Sequence, residues 1–429
     1  MSSKKKLLIL ASKLGYQTRG FAEAAEKLGV GVQFGTDRCH QLDNPWGDDA
    51  LPLHFERPRE AAEEILRVLR ASPPDGIIAL GDRATPTAAY AAQAFGIPGN
   101  SREAVEACRN KLRQRQVLAA AGVLVPEFFA FSTGQDLSAV LPRVNFPCVV
   151  KPLTLAASQG VMRANNPEEF AQAVERIRAL LTQPEIQVLR EPMLDHLLVE
   201  KYISGKEVAI EGLLDNGRLH VLAIFDKPDP LEGPFFEETI YVTPSRLPKE
   251  GQDALIDCAA RTVHALGLTT GPLHAEFRVD ENGPWVLEAA PRPIGGLCSR
   301  SLRFGAAHIS LEELLVRHAL RLGGSDLERE ESASGVMMIP VPRSGIFEGV
   351  DGIEVAEKIA GINEVRITAR LHDYVAAWPE GSSYLGFIFA RANSPREVEA
   401  ALRAAHSTLR FKFSPRLPVE HPVTKRIGT

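Results

Sequence analysis

Strand and helix patterns alternate over roughly the first 100 residues of this chain. Short apolar runs at 6–11, 30–34 and 75–80 predict strands, and an amphipathic stretch follows each of them. Such a βαβα order predicts a parallel, Rossmann-like sheet with its ligand crevice at the carboxyl ends of the strands. Two turns at such ends, 13–16 and 81–83, are candidate crevice residues, with ordinary βα turns as the alternative. Because no GxGxxG motif is present, the pattern does not predict dinucleotide binding.

The order of elements changes near residue 101, and the chain divides into three segments. Its 429 residues are consistent with about three modules. After the change, predicted helices and hairpins follow one another without regular alternation, as in α+β folds. The last segment combines short strands with an amphipathic helix at 395–409. The predicted fold class is therefore α/β and α+β, with domains at 1–105, 106–328 and 329–429.

Composition and charge exclude several classes of protein. The chain has 49 Lys and Arg against 54 Asp and Glu, and this balance gives no reason to expect nucleic acid or an anionic membrane as a partner. Hydrophobic residues make up 45% and charged residues 24%, which excludes a largely disordered chain. The five cysteines include no CxxC pair, and the apolar run at 7–11 is too short for a signal peptide. We therefore expect a reduced, cytoplasmic protein that contacts neither nucleic acid nor membrane.

A turn signal at Asn282-Gly283 separates two β-prone runs and predicts a hairpin. With the turn centred on Asn282, Glu276 lies directly opposite Glu288, and His274 and Arg292 fall on the same face. Opposed carboxylates destabilise a sheet unless a cation lies between them, and carboxylate oxygens suit Mg²⁺. Glu276 and Glu288 are therefore candidate metal ligands. Two solvated glutamates on an exposed hairpin, or a bulge that breaks the register, are the alternatives.

Two further motifs carry weaker signals. Lys151 ends a predicted strand and precedes a loop of small residues at 153–160, an arrangement that can cradle phosphate. A plain surface loop would have the same sequence pattern. The stretch 197–207 runs from an apolar strand into a short turn with an acidic residue at each end. Backbone groups in such a turn can read an adenine edge and a carboxylate can hold ribose hydroxyls, although strand–turn–strand units with flanking charges are common.

The order of these features along the chain resembles that of the ATP-grasp superfamily. Lys111, then Lys151 with its loop, then the turn at 200–207, and then Glu276 and Glu288 follow one another as they do in that superfamily. The resemblance covers roughly the middle half of the chain. It implies an ATP-grasp fold with an N-terminal Rossmann-like (pre-ATP-grasp) domain and a small C-terminal α+β domain.

Within the superfamily, the chain is similar to bacterial L-amino-acid ligases, which join amino acids into dipeptides. The similarity rests on His274-x-Glu276, on the sequence EAAPRP at 288–293, and on the C-terminal segments 336–342 and 384–390. Many ATP-grasp enzymes carry Asn where this chain has Ala290, so an amide ligand for a second Mg²⁺ is missing. The same ligases also have a small residue there, which indicates a trait of that group.

The resemblance implies that ten residues contact ATP. The phosphates would contact Lys111 and Lys151, a mobile lid formed by Ser158, Gln159 and Gly160, and Lys227, for which a solvated loop lysine is the alternative. The adenine would contact Glu200, Lys201 and Ile203, and the ribose would contact Glu207.

The resemblance also implies metal-binding and catalytic residues. Glu276 and Glu288 would bind Mg²⁺ or Mn²⁺, and Arg292 would stabilise charge on the transferred phosphoryl group. His274 would orient a substrate or act as a base near neutral pH, with a hydrogen-bonded histidine at a sheet edge as the alternative.

The implied activity is ATP-dependent ligation of a carboxylate to an amine through an acyl phosphate, with ADP and phosphate released. ATP and small-molecule carboxylate and amine substrates are the implied partners, and the family suggests a homodimer. A biotin-carboxylase-like or purine-pathway-like enzyme is an alternative. A non-catalytic ATP-binding protein is another, although it would have no chemical need for Glu276, Glu288 and Arg292 together.

Overall fold

The computed structural model describes residues 4–12, 15–37, 50–324 and 326–416. The candidate crevice residues Lys13 and Leu14, and also Cys39, lie outside the described residues. Among the helices that are described, none is long and apolar enough to cross a membrane.

The N-terminal elements form a parallel sheet, as the alternation of strands and helices predicts. In chain order they are β1 (Lys6–Ala11), α1 (Tyr16–Lys27), β2 (Gly31–Thr36), β3 (Ala50–Pro52), α2 (Pro58–Leu69), β4 (Gly76–Leu80) and α3 (Thr85–Phe95). The strand order is β3-β2-β1-β4, and every neighbouring pair is parallel. The turn at 81–83 therefore leaves the carboxyl end of β4, at the edge of the sheet where ligands bind in such folds.

Two short helices connect this sheet to the rest of the chain, where the sequence predicts one helix over 109–121. They are α4 (Arg102–Arg109) and α5 (Lys111–Ala120). Asn110 separates them with an extended backbone, and its side chain accepts a hydrogen bond from the N–H of Arg113 at 3.1 Å. An asparagine is a favoured N-cap, so Asn110 ends one helix and starts the next. Lys111 consequently occupies the first turn of α5.

A four-stranded antiparallel sheet follows. Its elements are β5 (Phe128–Ser132), α6 (Leu137–Val140), β6 (Cys148–Pro152), β7 (Met162–Ala164), α7 (Pro167–Leu181), α8 (Pro184–Gln187) and β8 (His196–Lys201). The strand order is β5-β8-β6-β7. Helix α7 begins at Pro167 because Asn166 caps its N-terminus and a proline is favoured at the first helical position. The loop 153–160 joins β6 to β7 and projects from the end of this sheet.

The next stretch supplies most of a larger sheet. Its elements are β9 (Lys206–Asp215), β10 (Arg218–Asp226), β11 (Ile240–Thr243), α9 (Lys249–Leu266), β12 (Gly271–Asp280), β13 (Gly283–Ala290), β14 (Arg303–Phe304), β15 (Ile309–Ser310) and α10 (Leu311–Ala319). Strand β10 was not predicted from the sequence, although Asn216 and Gly217 between it and β9 are turn residues.

The C-terminal elements extend that larger sheet. They are β16 (Ala333–Ile339), β17 (Gly345–Asp351), α11 (Ile353–Ala356), β18 (Ile362–Ile367), β19 (Tyr374–Val375), β20 (Gly386–Ala392), α12 (Pro395–Thr408) and β21 (Arg410–Ser414). The eight-stranded sheet has the order β13-β12-β9-β10-β11-β16-β20-β18. A separate three-stranded sheet has the order β19-β17-β21. The last segment is α+β in content, as predicted, but three of its strands continue the sheet of the middle segment.

The hydrophobic core also crosses the segments. Ile78 of β4, Phe225 of β10, Leu314 of α10 and Phe387 of β20 belong to one buried cluster. Burial of apolar surface therefore joins the N-terminal sheet, the eight-stranded sheet and the C-terminal elements.

The junction between β11 and β16 yields a testable prediction. A Cβ added at Gly335 of β16 would lie 2.7 Å from Val398 Cγ1 and 2.8 Å from the carbonyl oxygen of Tyr241. We expect Gly335→Ala to lower the free energy of unfolding by about 1–3 kcal/mol, as overpacking does, with a lower midpoint in thermal denaturation. Gly134→Ala is the control, since its nearest atom lies 3.9 Å away. Equal midpoints for the two variants would contradict this account of the junction.

Candidate active site

The hairpin of β12 and β13 sets Glu276 opposite Glu288, as the sequence predicts. Near the turn, however, Asp280 pairs with Gly283, a register one residue shorter than a turn centred on Asn282 gives. A bulge at Leu287 separates the two registers and restores the pairing of the glutamates. The carbonyl of Leu287 accepts a hydrogen bond from the guanidinium of Arg115. The bulge is thus held by a residue about 170 positions earlier in the chain.

Beside this hairpin, three carboxylates surround the ammonium of Lys227. Lys227 Nζ lies 2.9 Å from Glu207 Oε1, 2.5 Å from Glu238 Oε1 and 3.3 Å from Glu276 Oε1. Lys227 is 7% exposed, so the alternative of a solvated loop lysine is wrong. Burial opposes the charged form, but the three carboxylates outweigh it and raise the pKa of Lys227 well above its ordinary value.

The carboxylates of Glu207, Glu238 and Glu276 each offer an oxygen within 4.8 Å of the others. Burial and the neighbouring charge of Glu276 raise the pKa of Glu238 to about 7, despite the presence of Lys227. The charge of Lys227 therefore does not fully offset the negative charge around Glu238. Buried oxygen ligands with an excess of negative charge suit a hard divalent cation such as Mg²⁺. Of the two metal ligands that the sequence predicts, Glu276 belongs to this group of three and Glu288 does not.

His274 is buried between two acidic side chains. Its Nε2 lies 3.1 Å from Glu276 Oε1, and its Nδ1 contacts Glu211 Oε1. Burial disfavours the imidazolium, but Glu211 and Glu276 raise the pKa of His274 to about 9. Because both ring nitrogens donate to carboxylates, neither has a free lone pair, and a role as a base near neutral pH does not fit this arrangement. The geometry instead has His274 orienting Glu276.

Arg292 connects the hairpin to the N-terminal sheet. Its Nε donates to Asp82 Oδ1 at 3.0 Å, and another guanidinium nitrogen lies 3.8 Å from Glu288 Oε1. Burial disfavours charge on the guanidinium, but Asp82 and Glu288 raise the pKa of Arg292 further above its ordinary range. Asp82 belongs to the turn that follows β4, so the carboxyl end of the parallel sheet does reach the candidate site.

A second buried ion cluster lies on the four-stranded sheet. Glu200 accepts from Lys151 Nζ at 2.7 Å and from Arg115 Nε at 2.6 Å. All three side chains are at most 10% exposed. Burial raises the pKa of the Glu200 carboxyl, but Arg115 and Lys151 outweigh this and lower it below its ordinary value. Burial lowers the pKa of Lys151, and Glu200 opposes that change.

Residues of both ion clusters border one cleft of about 110 Å³. Most of the predicted ATP and metal contacts border it, namely Lys111, Lys151, Ser158, Glu200, Lys201, Ile203, Glu207, Glu276 and Glu288. The other predicted residues lie around its edge: Lys227 and His274 contact Glu276, Arg292 contacts Glu288, and Gln159 and Gly160 belong to the loop above it. A larger cavity of about 760 Å³ lies elsewhere, between α3, α10 and the β9–β10 turn, and contains none of them.

Several site residues were missed by the sequence analysis. Arg115 had a usable signal, because it lies four residues after Lys111 and therefore on the same face of α5. Glu211 lies four residues after Glu207 on β9 and therefore on the same face of the strand. The sequence contains this signal too. Glu238 precedes β11 in a loop, and no local pattern in the sequence indicates its approach to Lys227.

Comparison with known families agrees with this architecture. An ATP-grasp N-terminal domain matches residues 22–99, an ATP-grasp domain matches 144–301, and an L-amino acid ligase C-terminal domain 2 matches 337–414. This chain contains an ATP-grasp domain. The N-terminal and C-terminal matches flank the ATP-grasp match in the order that the sequence analysis expects.

Relatives of this ATP-grasp protein include amino-acid ligases. It is 26% identical over 258 residues to alanine–anticapsin ligase of Bacillus subtilis (strain 168), an alignment covering 56% of this chain and 53% of that protein. It is 23% identical over 347 residues to the L-arginine-specific L-amino acid ligase of Bacillus subtilis, covering 80% of this chain and 81% of that one. The first two curated relatives are matched over 64% and 53% of their own lengths.

Among the solved structures, a ligase is similar to this chain over almost the whole length of the chain. The crystal structure of L-amino acid ligase from Bacillus licheniformis superposes with a TM-score of 0.81 at 29% sequence identity. The match covers 96% of this ATP-grasp chain and 100% of the ligase. The predicted ATP-grasp fold and the resemblance to L-amino-acid ligases are therefore confirmed.

Arg115 gives a prediction about the stability of this site. We expect Arg115→Gln to destabilise the protein by about 3–5 kcal/mol, because it leaves the buried Glu200 carboxylate with only one of its two cationic partners. Arg113→Gln on the same helix is the control, since Arg113 is 46% exposed and its ion pair with Glu106 spans 3.5 Å. Urea denaturation of both variants measures the difference.

The structure also predicts how the stability difference between the native protein and Arg115→Gln changes with pH. The pKa of Glu200 is lowered in the folded protein, so its contribution to stability is complete above its unfolded value of about 4.5 and is lost as pH falls through the folded value. Without Arg115, less of this contribution exists to be lost. The stability gap between the native protein and Arg115→Gln should therefore shrink as the pH falls below about 4.5, and a gap that widens there would contradict the assignment.

Proposed function

We propose that this protein is an ATP-dependent carboxylate–amine ligase that joins amino acids and releases ADP and phosphate. The observation that carries the proposal is the pairing of Glu276 with Glu288 beside the cleft, together with Arg292 in contact with Glu288. Paired carboxylates and an adjacent guanidinium are the groups that phosphoryl transfer to a carboxylate requires. The L-amino acid ligase C-terminal domain beside this site favours amino acids as substrates.

A nucleotide in this cleft would place its base at β8. The N–H of Lys201 already donates to the carbonyl of Glu127 at 2.9 Å, so contact with adenine through Lys201 falls to its carbonyl. The N–H of Ile203 has no acceptor in the described part of the chain and is free to donate to a ring nitrogen. Glu207 already pairs with Lys227 and Arg278, and it would bind the ribose hydroxyls with its remaining hydrogen-bond acceptor sites.

The phosphates would extend from the base toward the acidic cluster. Lys151 lies on β6, and Lys111 donates to the carbonyl of Leu155 at 2.6 Å at the root of the lid loop. Both ammonium groups border the cleft. The lid residues Ser158, Gln159 and Gly160 would cover the terminal phosphates, where backbone N–H groups stabilise anionic oxygens.

Glu276 and Glu288 would hold Mg²⁺, with Glu238 close enough to contribute. Bound there, the metal supplies charge neutralisation for the phosphate oxygens. His274 donates to Glu276 and keeps its carboxylate oriented, while Lys227 reduces the repulsion among the three glutamates. The side chain at position 290 is a buried alanine that faces His274 and adds no ligand.

A carboxylate does not acylate an amine at neutral pH, because oxide is a poor leaving group. Transfer of the γ-phosphoryl group to the carboxylate forms an acyl phosphate and ADP. The amine then attacks the acyl carbon, the nitrogen loses a proton and phosphate departs. Arg292 is anchored by Asp82 and would stabilise the charge that develops on the phosphoryl oxygens.

The direct test is phosphate release with Mg·ATP against single amino acids and pairs, with the products identified by mass. We expect at least one pair to stimulate release and to yield a mass equal to the two amino acids minus water. Stimulation by bicarbonate or by another carboxylate and amine would favour the biotin-carboxylase-like or purine-pathway-like alternatives. ATP binding without turnover on any of these substrates would favour a non-catalytic protein.

Glu288 tests the proposed metal site. We expect Glu288→Gln to fold normally, because its side chain is 29% exposed, and to lower kcat by roughly 100-fold or more through the loss of a ligand charge at the transferring group. The concentration of Mg²⁺ needed for half-maximal activity should rise. Glu281→Gln in the exposed turn of the same hairpin is the control and should leave both values unchanged. Native kinetics in Glu288→Gln would refute the metal assignment.

A further inference from the structure

The lid loop, residues 153–160, does not stand alone above the cleft. Three of its residues hydrogen-bond to a turn of the C-terminal domain, residues 376–381, which we call the clasp. The N–H of Gly160 donates to the carbonyl of Pro379 at 2.9 Å. Gln159 Nε2 donates to the carbonyl of Glu380 at 2.8 Å, and Trp378 Nε1 donates to the carbonyl of Ala157 at 3.3 Å. The two segments lie about 220 residues apart in the sequence.

An ion pair fastens the clasp to the helix behind the lid. Arg176 of α7 donates to both carboxylate oxygens of Glu380, one of them at 2.9 Å. The guanidinium of Arg176 also lies 5.0 Å from the ring centre of Phe235. A bidentate arginine–carboxylate pair fixes the relative orientation of its partners, so this pair holds the clasp in one orientation relative to α7.

The clasp itself is a rigid turn. The N–H of Gly381 closes it onto the carbonyl of Ala377 at 2.9 Å. A Cβ at Gly381 would lie 2.2 Å from the carbonyl oxygen of Ala376, so the turn is too tight for any other residue. Trp378 is 6% exposed and its ring centre lies 4.9 Å from that of Tyr384. The indole N–H is thus presented to the lid from a packed core.

The lid, by contrast, has a strained backbone. Ala157 and Ser158 have φ angles of 55° and 54°, in the left-handed region that residues with a Cβ rarely adopt. Such residues persist where the surrounding structure determines their conformation. Trp378 contacts Ala157 of this strained pair, and Pro379 contacts Gly160, two residues after Ser158. The conformation of the lid therefore depends on the C-terminal domain as well as on its own sequence.

We propose that the clasp positions the lid over the nucleotide phosphates, with Glu380 and Trp378 as positioning residues. This inference rests on the proposed function, because it assigns the C-terminal domain a part in the same reaction. An acyl phosphate is hydrolysed by water if the site is open when it forms. A lid held down by the clasp excludes water until the amine has reacted, which couples ATP consumption to ligation.

The test compares Glu380→Gln, Trp378→Phe and the charge-reversed pair Arg176→Glu with Glu380→Arg. Trp378→Phe removes the indole N–H and keeps an aromatic ring. Arg178→Gln is the matched control, because Arg178 lies on the same helix and pairs with Glu175 instead of the clasp. Two readouts are taken: hydrogen exchange of the peptide spanning 153–161 with a non-hydrolysable Mg·ATP analogue bound, and phosphate released per ligated product.

We expect Glu380→Gln and Trp378→Phe each to speed exchange in the lid peptide. The KM for ATP and the phosphate released per product should rise about two- to fivefold, the scale expected for the loss of a partly exposed ion pair or hydrogen bond. The charge-reversed pair should restore both readouts toward native values, and Arg178→Gln should change neither.

Native exchange in the lid of both Glu380→Gln and Trp378→Phe would overturn the proposal. So would an equal effect of Arg178→Gln. Because exchange with a bound analogue needs no turnover, the clasp is tested even if no amino-acid pair is ligated. In that case the proposed ligase activity fails, and faster exchange in the two variants would still support the clasp.

Discussion

The candidate site depends on one buried ammonium, that of Lys227. Glu207, Glu238 and Glu276 reach it from β9, from the loop before β11 and from β12. Without this cation, three buried carboxylates would repel one another and some would take up protons. With it, they stay close together on one face of the eight-stranded sheet. The group that holds these carboxylates together therefore also shapes the surface at which we propose that a metal binds.

Arg115 has a corresponding role between the two sheets that border the cleft. It leaves α5, pairs with Glu200 on β8 and donates to the bulged carbonyl of Leu287 on β13. One guanidinium thus connects the four-stranded sheet to the eight-stranded sheet. A planar group with five donors suits this bridging position, and a lysine could not satisfy both partners in the same geometry. This contact helps to set the relative position of β8 and β13.

Local patterns in the sequence, together with the resemblance to the ATP-grasp superfamily, named most of the residues that border the cleft, but left several strands unassigned. The hairpin prediction matched Glu276 to Glu288 with the wrong turn centre, because the bulge that compensates is stabilised by distant Arg115. The burial of Lys227 was left open for the same reason, since its partners come from separate strands and a loop. Strand β10 was missed despite the turn residues Asn216 and Gly217 before it. Strands β5, β11, β17 and β21 were missed as well, and they pair with strands that lie far away in the sequence. The candidate functional residues could be named from the sequence, but the oppositely charged residues that neutralise them could not.

The continuous eight-stranded sheet has a consequence for how such a protein can be divided. Strand β11 pairs along its whole length with β16, whereas a single pair, Asp226 with Val242, joins it to β10. Glu238 lies two residues before β11, and the carbonyl of Thr239 accepts a hydrogen bond from Met338 of β16 at 2.7 Å. A cut at the apparent domain boundary near residue 329 would therefore remove the main support of a strand in the acidic cluster. Exchange of parts between relatives has to carry β11 and β16 together, so the middle and C-terminal segments form a single recombination unit even though they match separate families.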